Sequence, residues 1–328
     1  MKRAIVITSI HGVTDAVEGF LDFKDWEVIL VGDKKTPEIE EEKFSNLTYL
    51  SVEDQRSQPG KLHNLPYNHY CRKNLGYQYA INQGAEVIAD SDDDNHPKED
   101  WDSWLSDTDQ GRLLSGPRFT NIYNQFTDEF VWPRGLPLDK ITAEQEATTE
   151  RQTLDEDTVG VIQGLADNEP DVDAIYRLVF DREIEFDDRS PVMLGEGTYS
   201  PFNSQNTLWV SEEVYPYLYL PCTVSFRFTD ILRSFIAQRG IWATEKRLCF
   251  TGASVTQDRN MHDLMSDFES EIPCYVQTRD VVSALESLDL EGNPSSDIKT
   301  IYKKLHQIEV VNEDELLYLD QWLSALEA

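Results

Sequence analysis

Positive charge is what this sequence has least of. Its 328 residues include 29 Lys+Arg against 61 Asp+Glu, a formal net charge of −32. Binding along a phosphate backbone needs a basic stripe, so nucleic acid is set aside as the main partner. Docking on an anionic membrane surface is set aside for the same reason. Long apolar runs are missing too, and none approaches the roughly 18 residues of a membrane span. The opening MKRAIVITSIHGVTDAVEG has no small-residue cleavage site and reads as a first β-strand, not a signal peptide. Cysteines are few: Cys71, Cys222, Cys249 and Cys274. None forms a CxxC pair, and no His stands at zinc-site spacing beside them. Buried thiols of a soluble, cytoplasmic protein in a reducing compartment are therefore expected. The chain has no GxxxxGKS/T and no GxGxxG after its first strand, which sets aside P-loop NTPases and demotes NAD binding. HExxH and GxSxG are absent as well.

What the chain does have is material for a core. It is 40% hydrophobic and 11% aromatic, so its acidity is not that of a disordered polymer. The first third alternates between strand and helix signals. Ala4–Ile10, Trp26–Val31, Leu47–Val52 and Glu86–Ala89 read as strands, and Asp15–Phe23 and His69–Gly84 as helices, the second closed by Gly84. That alternation predicts an α/β fold with a mostly parallel sheet flanked by helices. Ligands of such sheets bind at the carboxyl ends of the strands, where Gly32-Asp33 and Asp90–Asn95 fall. The middle, about 112–224, is rich in turn residues. Met261–Glu271, Asp280–Leu288, Ser296–Gln307 and Glu313–Leu326 read as helices. The expected organisation is a catalytic domain over 1–256 and a helical extension over 257–328.

Two local features carry chemistry. Asp90, Asp92, Asp93 and Asp94 crowd the end of a strand. Carboxylates this close repel one another and need a cation to stay ionised at neutral pH, and a hard divalent metal with oxygen ligands fits. A calcium loop does not fit, because its glycine and closing glutamate positions hold Asn95 and Trp101. The plainer alternative is an acidic turn. Just upstream, Arg72 and Lys73 open a helix, and helix N-termini favour phosphate. In so cation-poor a chain, that adjacency near a ligand edge weighs more than it would elsewhere.

The segments LPYNHYCRKNLGYQYAI (65–81), QGLADNEPDVDAIYRL (163–178), PFNSQNT (201–207), FRFTDILRSFIAQR (226–239) and QDRNMHDLMSDFESEI (257–272) resemble the STELLO glycosyltransferase family. The resemblance covers about residues 4–272 and implies the Rossmann-like GT-A fold. A weaker similarity is to the reversibly glycosylated polypeptides, which are UDP-arabinopyranose mutases. The resemblance implies a Mn²⁺- or Mg²⁺-dependent enzyme that moves a sugar from a nucleotide-diphosphate sugar, a UDP-sugar by expectation, to a glycan-type acceptor. It implies Asp92 and Asp94 as metal ligands, with His262 completing the shell. It also places Asp92 and Asp93 at the donor ribose or sugar, Arg72 and Lys73 at the base or diphosphate, and Thr8, Ser9 and Asp33 in the nucleoside pocket. Asp230, in a segment like the late acidic motif of inverting enzymes, would take the acceptor proton; a helix-dipole complement is the alternative. Asp171 and Asp173 would lie near the donor sugar or acceptor, against a plain turn as the alternative. Trp209, Tyr215, Tyr217 and Tyr219 could stack on a sugar or fill the core. Two other functions stay open: a nucleotide-sugar mutase, and a non-catalytic scaffold built on the same fold.

Overall fold

The computed structural model describes residues 1–58, 62–103, 111–142, 148–152, 154–180, 182–258 and 263–327. The chain adopts the expected α/β fold, with one large mixed sheet flanked by helices and a C-terminal helical region. Strands β1 (Arg3–Ser9), β2 (Trp26–Gly32), β3 (Leu47–Leu50) and β4 (Val87–Asp92) pair in parallel, in the spatial order β3-β2-β1-β4. Their register sets Thr8 opposite both Val31 and Asp92, so three carboxyl ends form one edge. β1 and β2 are buried on both faces and read as continuous apolar runs, as parallel strands covered by helices do.

Between β1 and β2 lies helix α1 (Asp15–Leu21). Its N-cap Thr14 accepts from Val17 N (3.2 Å) and donates to the Asp93 carbonyl (2.6 Å), tying the helix to the acidic run. α2 (Val52–Ser57) follows β3, and α3 (Lys73–Asn82) precedes β4. α3 packs so closely on the sheet that a Cβ on Gly76 would stand 2.5 Å from Val6 Cγ1 and 2.6 Å from Val31 Cγ2. Gly84, at φ +78°, closes this helix.

The sheet continues through short β5 (Asn95–Pro97), then β6 (Gly111–Ser115), β7 (Thr148–Gln152), β8 (Val159–Asn168), β9 (Val192–Leu194), β10 (Asn206–Trp209) and β11 (Arg247–Gln257). β10 runs antiparallel between β4 and β8, β11 lies parallel to β8, and β5 pairs with the end of β11, setting Asn95 opposite Gln257. α4 (Ala174–Val179) follows β8, and α5 (Thr229–Ala243) leads into β11.

Helices α6 (Leu264–Glu286), α7 (Pro294–Gln307) and α8 (Glu313–Leu326) close the chain. The two helices expected over 261–271 and 280–288 are one, running through Pro273. These helices share the central core: Cys274, Val281, Leu285, Ile298 and Trp322 belong to the same buried cluster as Leu75, Tyr77 and Trp209. α8 also inserts a fully buried carboxylate. Glu315 accepts from Tyr219 Oη (2.6 Å), Cys222 N (3.0 Å), Thr223 N (2.8 Å) and Thr223 Oγ1 (2.7 Å). The four cysteines are unpaired and buried. Trp209, Tyr215, Tyr217 and Tyr219 are all buried, which settles them as core residues. Among the described residues, no helix is long and apolar enough to cross a membrane.

Candidate active site at the strand carboxyl edge

β4 extends further than its apolar residues suggest, because Asp90 and Asp92 are strand residues themselves. Residues two apart on a strand share a face, and Lys73 meets both. Its ammonium lies 2.6 Å from Asp90 Oδ1 and 3.1 Å from Asp92 Oδ1, and donates to the carbonyls of Ser91 (2.5 Å) and Ser204 (3.0 Å). Arg233 of α5 pairs with the other Asp90 oxygen at 2.9 Å. Asp90, Lys73 and Arg233 are all fully buried. Asp90 is thus the neutralised anchor of the run, and Lys73 lies beneath the site instead of on its wall.

The next three carboxylates open onto a cleft of about 410 Å³. Its lining includes Asp92, Asp93 and Asp94, with Thr8 and Ser9 from β1, Asp33 after β2, Arg72 before α3, and Phe226 and Arg227 before α5. Ser9 Oγ donates to Asp93 Oδ2 (2.5 Å), and Tyr70 Oη donates to Asp92 Oδ1 (2.5 Å). Burial pushes Asp92 up to about 6, and the charge of Asp94 adds to this while Lys73 and Tyr70 oppose it. Asp93 is raised as well, by burial first, against the Ser9 hydrogen bond. Asp33 Oδ2 accepts from Asn68 N at 2.6 Å, which fixes the loop entering α3. Arg72 reaches the cleft while committing Nε to Gln55 Oε1 (3.0 Å) and Nη1 to the Leu65 carbonyl (3.0 Å). Its guanidinium also stacks on Tyr67, 4.3 Å from the ring centre.

Asp171 and Asp230 come together, but behind the cleft wall. Arg134 bridges them. Its Nε is 2.9 Å from Asp171 Oδ1 and its Nη2 is 2.6 Å from Asp171 Oδ2, while Nη1 and Nη2 lie 2.8 Å from the two Asp230 oxygens. All three are buried. Gly135, at φ +98°, brings this segment against α5, where a Cβ would sit 2.5 Å from Ile231 Cγ2. Arg227, on the cleft wall, pairs with buried Glu271 at 2.7 Å and lies 3.8 Å from Asp171. Asp173 lies near Glu271 and Asp171 but makes no ion pair with Arg134 or Arg227. It is fully buried and caps α4, its Oδ1 accepting from Tyr176 N at 2.6 Å. Burial pushes its carboxyl up to about 7.

His262, expected as a metal ligand, lies outside the described residues. Among the described residues, no three His, Cys, Asp or Glu side chains converge as a ready-made metal cage. The donor set still suits a hard cation. Mg²⁺-like ions are commonly held by one or two carboxylates, with substrate phosphates and waters completing the shell. The proximity that lets Asp94 raise Asp92 is the electrostatic condition a cation would relieve.

Arg134, Arg227 and Gln257 escaped sequence reasoning. The scarcity of cations that marked out Arg72 applies equally to Arg134 and Arg227, and was the available signal. Gln257 offered none.

Comparison with known proteins finds similar plant sequences. The chain is 32% identical over 267 residues to an Arabidopsis thaliana protein named "Probable glycosyltransferase STELLO2", covering 74% of this chain and 34% of that one. It is also 32% identical over 269 residues to "Probable glycosyltransferase STELLO1" of the same organism, covering 74% and 33%. The chain belongs to the STELLO glycosyltransferase family. It spans about a third of the length of these relatives. No family model matches the sequence.

Proposed function

We propose that this chain is a metal-dependent glycosyltransferase that takes its sugar from a UDP-sugar bound in the cleft at the strand carboxyl edge. One observation carries the reading: Asp92, Asp93 and Asp94 line a single cleft with Thr8, Ser9, Asp33 and Arg72. Acidic side chains beside a nucleoside-sized recess suit a diphosphate presented with a cation. Asp92 and Asp94 would hold that cation, which supplies Lewis-acid neutralisation of the charge developing on the departing diphosphate. Thr8, Ser9 and Asp33 would bound the nucleoside, with the Arg72–Tyr67 stack closing its side. Tyr70 and Lys73 orient Asp92 from below.

In the inverting form of this reaction, Asp230 takes the acceptor proton, which requires Arg134 to release one of its oxygens. The mutase reading needs no external acceptor and hence no such base. It draws its support from the same contact, since both Asp230 oxygens are engaged by Arg134. Product analysis separates the two, because a mutase interconverts ring forms of the donor and releases no free nucleotide.

The test of the main reading is thermal unfolding with UDP-sugars, with and without Mn²⁺. A ligand at 100 times its Kd stabilises the native state by about 2.7 kcal/mol. A melting point that no nucleotide sugar raises, with Mn²⁺ present, would refute the reading.

A further inference from the structure

We infer that Gln257 and Gln205 are positioning residues that hold Asp94 in place through a relay of buried amides running back to the Arg134 cluster. The inference rests on the proposed metal-binding role of Asp94. Gln257 ends β11, and its Nε2 donates to Asp94 Oδ2 at 3.3 Å. Its Oε1 accepts from Gln205 Nε2. Gln205 Oε1 in turn accepts from Asn203 Nδ2 (3.3 Å), which also donates to Asp171 Oδ2 (3.1 Å). The backbone N of Gln205 donates to Asn203 Oδ1 at 3.0 Å. All three amides are buried.

The charges at the two ends dictate the orientation of every amide between them. An ionised carboxylate only accepts, so Gln257 must turn its NH₂ toward Asp94 and its carbonyl toward Gln205. Gln205 must then donate to Gln257 and accept from Asn203. Asn203 has two N–H groups and spends one on each neighbour. A flip of any one amide would place acceptor against acceptor in a buried setting, at the full cost of unmade hydrogen bonds. The relay is therefore rigid, and it is neutral. It joins two acidic sites without adding a charge to either. Groups that orient a metal's ligands commonly change its affinity by about 10–100-fold when removed.

The experiment measures Mn²⁺ binding to the whole protein from the free-ion electron paramagnetic resonance signal, without turnover. Gln257→Leu should weaken Mn²⁺ binding by about 10–100-fold. Gln205→Leu alters no contact of Asp94 itself, and should weaken binding by about 2–30-fold through the relay. Gln238→Leu is the control: Gln238 is buried and hydrogen-bonded to Ser200 N (3.1 Å) and the Ser234 carbonyl (2.9 Å), outside the relay. It should lower the melting point and leave Mn²⁺ affinity unchanged. Wild-type affinity in the Gln257 and Gln205 variants would overturn the relay while leaving the cleft reading intact. An equal loss in Gln238→Leu would overturn it too, by reducing the effect to general destabilisation. A wild-type protein that binds no Mn²⁺ would overturn the metal reading and the relay with it.

Discussion

Asp173→Asn should make this protein more stable, and only above mildly acidic pH. The Asp173 carboxylate is fully buried, lies near Glu271 and Asp171, and has no ion-pair partner among the described residues. One oxygen caps α4, and the other makes no hydrogen bond among the described residues. Burial therefore raises its carboxyl from the usual 3.8 to about 7 in the folded state. Between those values the folded protein keeps a proton that the unfolded chain has lost. Stability then falls as pH rises, because the native state binds more protons. At about 1.4 kcal/mol per tenfold difference in proton affinity, the full penalty above pH 7 is about 4 kcal/mol as an upper limit. Asparagine keeps the shape and the capping oxygen, and it ranks with aspartate as an N-cap. The variant should match wild type near pH 4 and exceed it by about 2–4 kcal/mol at pH 8. Urea unfolding of both proteins from pH 4 to 8 measures this directly. Asp92 also titrates near 6, but it is present in both chains and cancels in the difference. A stability gap that does not change with pH, or a variant weaker than wild type at pH 8, would refute the reasoning. The same variant speaks to catalysis, since turnover close to wild type would leave Asp173 with the helix cap alone.

Three further outcomes are expected. Asp94→Ala should abolish Mn²⁺-dependent UDP binding in calorimetry with the fold retained, and the metal-free variant could melt higher because a repelling carboxylate is gone. Lys73→Met should act mainly on stability, by about 3–5 kcal/mol in thermal or chemical unfolding, because it strands buried Asp90 beside a single remaining cation. A loss confined to nucleotide affinity would return Lys73 to the phosphate side. Asp230→Asn should keep UDP binding and lower turnover by about 10²–10⁴-fold if Asp230 is the acceptor base. Turnover near wild type, or retained anomeric configuration in the product, would leave Asp230 as one half of the Arg134 clamp.

The first third of the fold was legible because its signals are local. Apolar runs, caps and Gly84 fixed β1, β2, β3, α1 and α3 to within a few residues. The acidic run was visible for the same reason. The division of labour within it was not, because Asp90 and Asp94 differ only in what meets them from afar. Lys73 comes from the preceding helix and Arg233 from 143 residues along the chain. Arg134 likewise reaches Asp230 across 96 residues. Such pairs leave no periodicity to read. β8 and β10 were hidden because Gln163, Gly164, Asn206 and Thr207 interrupt their apolar pattern. Those residues are buried, and their polar side chains find partners only inside the assembled sheet, as Gln163 Oε1 does in accepting from Thr207 Oγ1 at 2.8 Å.

The buried Glu315 changes what a truncation of this protein would mean. The backbone N–H groups of Cys222 and Thr223, with the hydroxyls of Thr223 and Tyr219, converge on its carboxylate. Donors gathered this way form an anion receptor, and the last helix serves as its tethered guest. Tethering keeps that guest at a high effective concentration, so dilution cannot remove it. Deleting α8 would empty that receptor, three residues from Phe226 on the cleft wall, and would also strip the buried Leu319, Trp322 and Leu323 from the shared core. Phosphate or sulfate could replace the lost carboxylate but not the lost apolar surface, so a shortened chain would stay destabilised in any buffer.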